Sequence, residues 1–271
     1  MKYRQNLHTH TVYCDGKNTL EELIRQAIDL GFDSLGFSMH SYMPYSAYAN
    51  ITPASISAYE MAVRKAQETY ADQIDIYCGL ELDMYSNADL SAYDYILGAM
   101  HYLKIQDEYV GFDRSAEQVQ HVIDTYFHGD GMLYAKEYYK QLATMPKYGK
   151  IDIVAHFDLI TKHADNVTFF DEASKTYQSA ALEALHALAE KIDVFEVNTG
   201  AIARGYRKIP YPAPFILKEL KTLGKKIIIS SDCHDKTKLD CHFDEALHYV
   251  KSNGFNEIYR LQKNGFVGSK L

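Results

Sequence analysis

Short apolar segments alternate with helical segments along the chain, and this alternation constrains the fold more than any other feature. Each apolar run is followed by a stretch in which apolar residues recur at three- and four-residue spacing. The first pattern predicts a buried strand and the second an amphipathic helix. Such alternation is typical of a mainly parallel sheet with helices packed outside it. About seven such units favour a barrel of the (β/α) type over an open sheet.

The predicted strands are bounded by turn residues or by helix caps. In chain order they are expected at 3–7, 34–39, 74–82, 95–100, 151–155, 194–197 and 227–230, with a last short strand at 257–261. Helices are expected where capping residues precede an apolar periodicity. Their predicted starts are Leu20 after the capping box Thr19–Glu22, Pro53 after Thr52, Ser115 with Gln118, Gly131, Asp171, Pro212 with Pro214, and Phe243. The long stretch 102–148 is expected to hold an inserted pair of helices.

Charge and composition exclude several classes of protein. The chain has 28 Lys and Arg against 36 Asp and Glu, a formal charge of −8, which argues against a broad surface for nucleic acid or anionic membrane. No apolar run approaches the roughly 18 residues of a membrane span, and no signal-peptide core is present. Four cysteines without close-paired spacing indicate reduced thiols and a cytoplasmic location. Without a linker or repeat, a single domain over residues 1–271 is expected.

Histidines and acidic residues recur at the C-terminal ends of the predicted strands. This position is shared by His8, His10, His40, Glu81, His101, His156, Asp232 and His234. Barrels of the (β/α) type keep their active sites at that end. A single histidine there is more often structural than a ligand, but several on different strands indicate one shared metal site.

Two pairs of these residues have the same spacing. His8 and His10 are two positions apart, as are Asp232 and His234. Residues two apart in a strand point to the same face, so each pair should aim at one place, and Cys233 should point elsewhere. Imidazoles and carboxylates together are the ligands of zinc, iron or manganese.

In order, these residues resemble the motifs of the polymerase-and-histidinol-phosphatase (PHP) family. The matching elements are His8-x-His10, the strand ending in His40, Gly79-Leu80-Glu81-Leu82, the strand ending in His101, Ala155-His156 and Ser231-Asp232-x-His234. Within the family the chain is most similar to the monofunctional histidinol-phosphate phosphatases. That similarity lies in its length and in the segment 196–200, followed by Arg204 and Pro210-Tyr211-Pro212. One departure is Ser38-Met39-His40, where the family commonly has Thr-Asp-His.

The resemblance implies a distorted (β/α)7 TIM-like barrel that binds three divalent metal ions, with zinc expected and iron or manganese as alternatives. The implied ligands form three sets. One ion would take His8, His10, Glu81 and Asp232; Glu81 would bridge to a second ion on His101 and His156; a third would take Asp15, His40 and His234.

The resemblance also implies hydrolysis of L-histidinol phosphate to L-histidinol and phosphate, a step of histidine biosynthesis. Clustered divalent ions hold phosphoryl oxygens and lower the pKa of a bridging water, which supplies a hydroxide nucleophile. Asp232 and His234 are the expected catalytic residues. The leaving alkoxide would take its proton from His234 or from a water on the third metal.

Arg204 has two interpretations. It could be a surface arginine in a glycine-containing loop, or its guanidinium could make paired hydrogen bonds to the substrate phosphate, which the resemblance favours. His163 could approach the site from the loop after His156. Five other histidines are expected on the surface or in helix packing: His121, His128, His186, His242 and His248. The tyrosines within 42–48 are expected to line the pocket, where they could receive an imidazole ring.

Two alternative functions remain open. The same metal cluster could hydrolyse a nucleotide or another small phosphate ester. A non-catalytic domain of the kind attached to bacterial polymerases is a third hypothesis, but every ligand position of the motif set is filled. In the leading hypothesis the partner is a small phosphorylated substrate, without nucleic acid or membrane.

Overall fold

The computed structural model describes residues 2–46 and 51–271, and eleven strands lie within them. In chain order these are β1 (Gln5–Asn6), β2 (Ser34–His40), β3 (Asp75–Asp83), β4 (Tyr95–Ala99), β5 (Tyr102–Ile105), β6 (Glu108–Gly111), β7 (Ile153–Val154), β8 (Val194–Asn198), β9 (Lys226–Ser230), β10 (Glu257–Gln262) and β11 (Gly265–Lys270). Part of the predicted loop after His40, including Tyr48, lies outside the described residues.

Eight α-helices occur in the same described ranges. They are α1 (Leu20–Asp29), α2 (Pro53–Thr69), α3 (Ala116–Tyr126), α4 (Gly131–Leu142), α5 (Lys175–Ala189), α6 (Gly200–Ala203), α7 (Pro214–Thr222) and α8 (Phe243–Ser252). The capping box of Thr19 and Glu22 begins α1 as predicted. Thr52 caps α2, which has proline at its start. None of the helices in these ranges is long and apolar enough to cross a membrane.

Seven strands form one parallel sheet in the order β1-β2-β3-β4-β7-β8-β9. The first and last strands meet through a parallel bridge between Thr9 and Cys233. In this bridge the Cys233 N–H donates to His8 O at 2.9 Å, and the His10 N–H donates to Cys233 O at 2.8 Å. The sheet therefore closes into a ring. With β1 and β7 only two residues long, the result is the distorted (β/α)7 barrel that the sequence predicted.

The Tyr95 side chain, at the start of β4, fills the part of the barrel interior nearer the N-terminal ends of the strands. A Cβ atom on Gly79 would lie 2.2 Å from Tyr95 Cζ, so only glycine leaves room for this ring. The Tyr95 hydroxyl donates to Leu7 O at 2.5 Å and Phe37 O at 3.0 Å. The other part of the interior, at the C-terminal ends of the strands, contains polar side chains.

The C-terminal hairpin β10–β11 covers the opposite, N-terminal end of the barrel. Gln5 joins it to the first strand, because its Oε1 accepts from the Leu261 N–H at 2.7 Å and its Nε2 donates to Leu261 O at 2.9 Å. Arg260 of the hairpin also forms an ion pair with Asp33. The two ends of the barrel thus have separate roles, one closed by packing and one occupied by polar groups.

The structure corrects the predicted elements in several places. Helix α6 was not predicted, and α7 begins at Pro214, so Pro212 lies before the helix. The segment 102–111 forms the hairpin β5–β6 ahead of the two predicted helices α3 and α4. A partner strand, β11, follows the predicted last strand. Helix α5 begins at Lys175 with Ser174 as its cap, so the predicted start at Asp171 was wrong. Asp171 Oδ1 accepts from the Ala173 N–H at 2.9 Å and forms a turn before the helix.

Candidate metal centre

The nine predicted metal ligands meet in one cluster at the C-terminal end of the barrel. They fall into four overlapping groups, and within each group the ligand atoms lie within 4.8 Å of one another. The groups are His8, Glu81 and His156; His8, His10 and Asp232; His40, Glu81 and His101; and His10, Asp15, His40 and His234. Six strand ends and the turn after His10 therefore deliver their polar side chains to one place.

Glu81, at the end of β3, occupies the centre of the cluster. Its Oε1 lies 3.0 Å from His156 Nε2 and 3.3 Å from His8 Nε2, while its Oε2 lies 2.7 Å from His40 Nδ1. Burial alone would raise the pKa of Glu81, but the surrounding imidazoles hold it well below its usual range. Glu81 is thus an ionised carboxylate with both oxygens directed at histidines, the geometry that a bridging ligand needs.

Two further carboxylates flank this centre. Asp232 Oδ1 lies 3.1 Å from His10 Nε2 and 3.5 Å from His8 Nε2. Asp232 has a φ of +47°, in the left-handed region that non-glycine residues seldom adopt. Asp15 Oδ2 lies 3.2 Å from His234 Nε2, and its Oδ1 lies 3.5 Å from His40 Nε2. The turn after His10 therefore places Asp15 beside the two histidines expected to share an ion with it.

The chemistry of these side chains fits divalent metal ions. His8 Nε2 and His10 Nε2 are buried and make no well-aligned hydrogen bond to the described residues. Burial, together with the charges of His234 and His40, lowers the pKa of His10 to about 3. A neutral imidazole is the form that binds a metal. Buried nitrogen atoms without hydrogen bonds, next to ionised carboxylates, would destabilise the folded state unless cations lay between them.

Several histidines of the cluster have a second partner outside it. Glu196 Oε1 accepts from His8 Nδ1 at 2.7 Å, and Asp83 Oδ2 accepts from His101 Nδ1 at 2.7 Å. His10 Nδ1 lies 3.4 Å from Cys14 Sγ. Sequence reasoning assigned no role to Asp83 or Glu196. The available signal was alternation, since Asp83 follows Glu81 by two positions and therefore shares its face of β3.

Arg204 lies directly beside the cluster. Its Nη2 is 2.7 Å from Asp232 Oδ2, and its Nη1 donates to Asp232 O at 3.0 Å. The side chain is 30% exposed, so it faces both the buried ligands and the solvent. Its neighbour Arg207 is buried instead, and donates to Thr161 O at 3.0 Å.

The other singled-out residues lie apart from these groups. His163 is buried, and its ring packs edge-on against Tyr206. Its Nε2 lies 3.3 Å from Asp113 O, and it belongs to none of the four ligand groups. Cys233 points away from the cluster, as expected, because its Sγ donates to Asp235 O at 3.2 Å.

A closed barrel with histidines and carboxylates gathered at the C-terminal ends of its strands has the architecture of metal-dependent enzymes of the TIM-like class. The family model described as the PHP domain matches residues 6–200. The chain belongs to this family.

Full-length relatives support the same assignment. The chain is 26% identical to the "Probable histidinol-phosphatase" of Deinococcus radiodurans, over 91% of this chain and 92% of the relative. It is 25% identical to the histidinol-phosphatase of Bacillus subtilis, over 84% of this chain and 92% of that protein. In fold it resembles the histidinol phosphate phosphatase of Lactococcus lactis, crystallised with zinc, L-histidinol and phosphate. That match has a TM-score of 0.72 and 18% identity, and covers 97% of this chain and 98% of the other.

Proposed function

We propose that this protein is a metal-dependent histidinol-phosphate phosphatase that converts L-histidinol phosphate and water to L-histidinol and phosphate. The observation that carries the proposal is the convergence of nine ligand side chains with Arg204 at their edge. The histidinol-phosphatase relatives, which align over most of this chain, favour this substrate over other phosphate esters.

The proposed cofactor is a set of three divalent ions, most simply zinc, held by the nine residues of the cluster. Glu81 would join the His8–His10–Asp232 set to the His101–His156 pair, since its two oxygens face histidines of both. When bound, the ions neutralise charge on the phosphoryl oxygens and provide a nucleophile at neutral pH. A single catalytic domain over residues 1–271 belongs to the same proposal.

Arg204 and Asp232 would orient the substrate phosphate. Asp232 holds the guanidinium through Oδ2 and through its carbonyl oxygen. The Arg204 side chain is still partly exposed, and a guanidinium offers five N–H donors, so donors remain for phosphate oxygens. The phosphate would then lie at the mouth of the cluster, next to the histidines that Asp232 also contacts.

His234 is the proposed proton donor to the leaving alkoxide. Its side chain is 24% exposed, more than that of any other histidine in the cluster. Its Nδ1 lies 2.8 Å from the carbonyl oxygen of Asp232, an arrangement that directs Nε2 towards Asp15. An imidazole that binds a metal through Nε2 cannot donate a proton from that atom, so the ligand and donor roles exclude each other at any one moment.

The test is a direct assay of the purified protein. Its metal content is measured, and phosphate release from histidinol phosphate is compared with release from a panel of nucleotides. We expect bound divalent metal and a kcat/KM for histidinol phosphate far above that for any nucleotide. Turnover of nucleotides without turnover of histidinol phosphate would replace the proposed substrate. If the protein contains no metal and hydrolyses none of these compounds, the remaining hypothesis is a non-catalytic binding domain.

A further inference from the structure

Glu196, in the middle of β8, is a buried carboxylate surrounded by hydrogen-bond donors. Its side chain is fully buried. Oε1 accepts from His8 Nδ1 at 2.7 Å and from the Ser230 hydroxyl. Oε2 accepts from the His156 backbone N–H at 2.8 Å and from Asn198 Nδ2 at 2.9 Å. Each oxygen therefore takes two donors, and these donors come from four segments of the barrel.

We propose that Glu196 is a positioning residue that keeps the proton of His8 on Nδ1 and thereby directs the Nε2 lone pair into the metal cluster. A carboxylate only accepts hydrogen bonds, so the His8 nitrogen that faces Glu196 must carry a hydrogen. The other nitrogen, Nε2, faces Glu81 and Asp232. Partners of this kind orient the ligand and strengthen metal binding. The inference rests on the metal site proposed above.

Replacing Glu196 by glutamine should reverse this arrangement without removing much volume. The new amide has one accepting and one donating end. The His156 N–H is a backbone donor, so it retains the accepting end. Asn198 cannot turn its amide around, because its Oδ1 already accepts from the Gly200 N–H at 2.8 Å.

The amide NH2 of the glutamine must then face His8 and Ser230. Ser230 can accept through its hydroxyl oxygen, and His8 can accept only if its proton moves to Nε2. A protonated Nε2 would lie 3.3 Å from Glu81 Oε1 and 3.5 Å from Asp232 Oδ1, and this nitrogen could no longer bind a metal.

Asp83 provides a matched control with the opposite expectation. Its Oδ2 accepts both donors of His101, the backbone N–H at 3.2 Å and Nδ1 at 2.7 Å. Its Oδ1 has no hydrogen-bond partner among the described residues. An asparagine can therefore point its oxygen at His101 and retain the same tautomer. Asp83→Asn removes one buried negative charge near the cluster, as Glu196→Gln does, without forcing a proton to move.

The experiment measures zinc affinity of the metal-stripped proteins by competition with a chromophoric chelator, so it is independent of the substrate. Glu196→Gln should weaken the tightest zinc binding by about 10- to 100-fold, and Asp83→Asn by less than about tenfold. Thermal unfolding of both metal-free variants should remain cooperative. Equal weakening in the two variants would show that charge alone matters and would overturn the proposal, as would unchanged zinc affinity in Glu196→Gln.

A spectroscopic measurement keeps the proposal testable even if Glu196→Gln does not fold. Histidine ¹⁵N–¹H spectra of the zinc-loaded wild-type protein report which ring nitrogen of His8 carries hydrogen. We expect hydrogen on Nδ1, and in metal-free Glu196→Gln we expect it on Nε2. A wild-type His8 with hydrogen on Nε2 would overturn the assignment. Failure of the histidinol phosphate assay would leave both measurements unaffected.

Discussion

Arg204 is the cationic side chain that lies between the ligand cluster and the solvent. We predict that Arg204→Ala raises KM for a phosphomonoester by about tenfold or more, which corresponds to at least about 1.4 kcal/mol of lost binding. The physical reason is the loss of paired, charge-assisted hydrogen bonds to phosphate. Steady-state kinetics together with metal analysis check this, since the metals should stay bound.

Lys208→Ala is the matched control for Arg204. Lys208 is an exposed cation on the same loop, so its removal changes the net charge equally. We expect wild-type KM for this variant. Unchanged kinetics in Arg204→Ala, or an equal change in both variants, would remove Arg204 from the substrate site.

The residues that converge in the cluster could be named one by one from the sequence, whereas their outer partners could not. Apart from Asp15, which lies in a turn, each candidate ligand is a histidine or an acid located where an apolar strand ends. Glu196 is also an acid near the end of an apolar strand, but its role could not be inferred, because its contacts with His8 and Ser230 lie 188 and 34 positions away in sequence. Arg207 is similar, since its buried contacts with Thr161 and Glu172 are 46 and 35 positions away. Long-range partners of this kind become visible only in the folded barrel.

At the scale of elements, the hairpin β10–β11 is held to the barrel by Gln5. We predict that Gln5→Leu lowers the free energy of unfolding by about 2–4 kcal/mol, because it leaves the buried N–H and C=O of Leu261 without partners. The catalytic constants should not change, since Gln5 lies at the end of the barrel opposite the cluster. Urea denaturation and the phosphatase assay measure the two properties separately. A change in kcat without a change in stability would contradict this division between the two ends.

The Tyr95 side chain lies inside the barrel, and its hydroxyl binds the backbone of two other segments, at Leu7 and at Phe37. Tyr95→Phe removes the donor to Leu7 O and Phe37 O. We therefore expect a loss of about 1–3 kcal/mol in unfolding free energy, measured by chemical denaturation. Tyr77→Phe is the control, because Tyr77 packs in the same interior group and its hydroxyl makes no hydrogen bond among the described residues. A similar loss in both variants would show that the hydroxyl bonds of Tyr95 are not the cause.

Strong local signals allowed most elements to be predicted, and weak ones account for the misses. The capped helices α1, α2 and α3 start where Thr19, Thr52 and Ser115 indicated. The hairpin β5–β6 was missed because its turn contains no glycine, although Gln106 adopts a positive φ of 56° there. Its strands are only four residues each, too short to show a clear alternation. The barrel itself follows from the repeated order of strands and helices, which does not depend on any single turn.

For the whole molecule, the cluster of buried ionisable groups should make stability depend on metal. We predict that removal of the divalent ions by a chelator lowers the melting temperature by several degrees or more. An ion that binds only the folded state stabilises it by about 2.7 kcal/mol when its free concentration is 100 times its Kd. Calorimetry before and after metal is restored measures the effect. An unchanged melting temperature after complete metal removal would mean that the ions do not stabilise the fold.

The bridge between Thr9 and Cys233 has a consequence for the order of events during synthesis. It brings His8 and His10 next to Asp232, more than 200 positions later in the sequence, and the contact between Asp15 and His234 spans 219 positions. A ribosome must therefore synthesise the chain through His234 before the proposed ion sites that use these residues can form. If these residues hold the ions as proposed, metal can load only after the strands have closed into a ring.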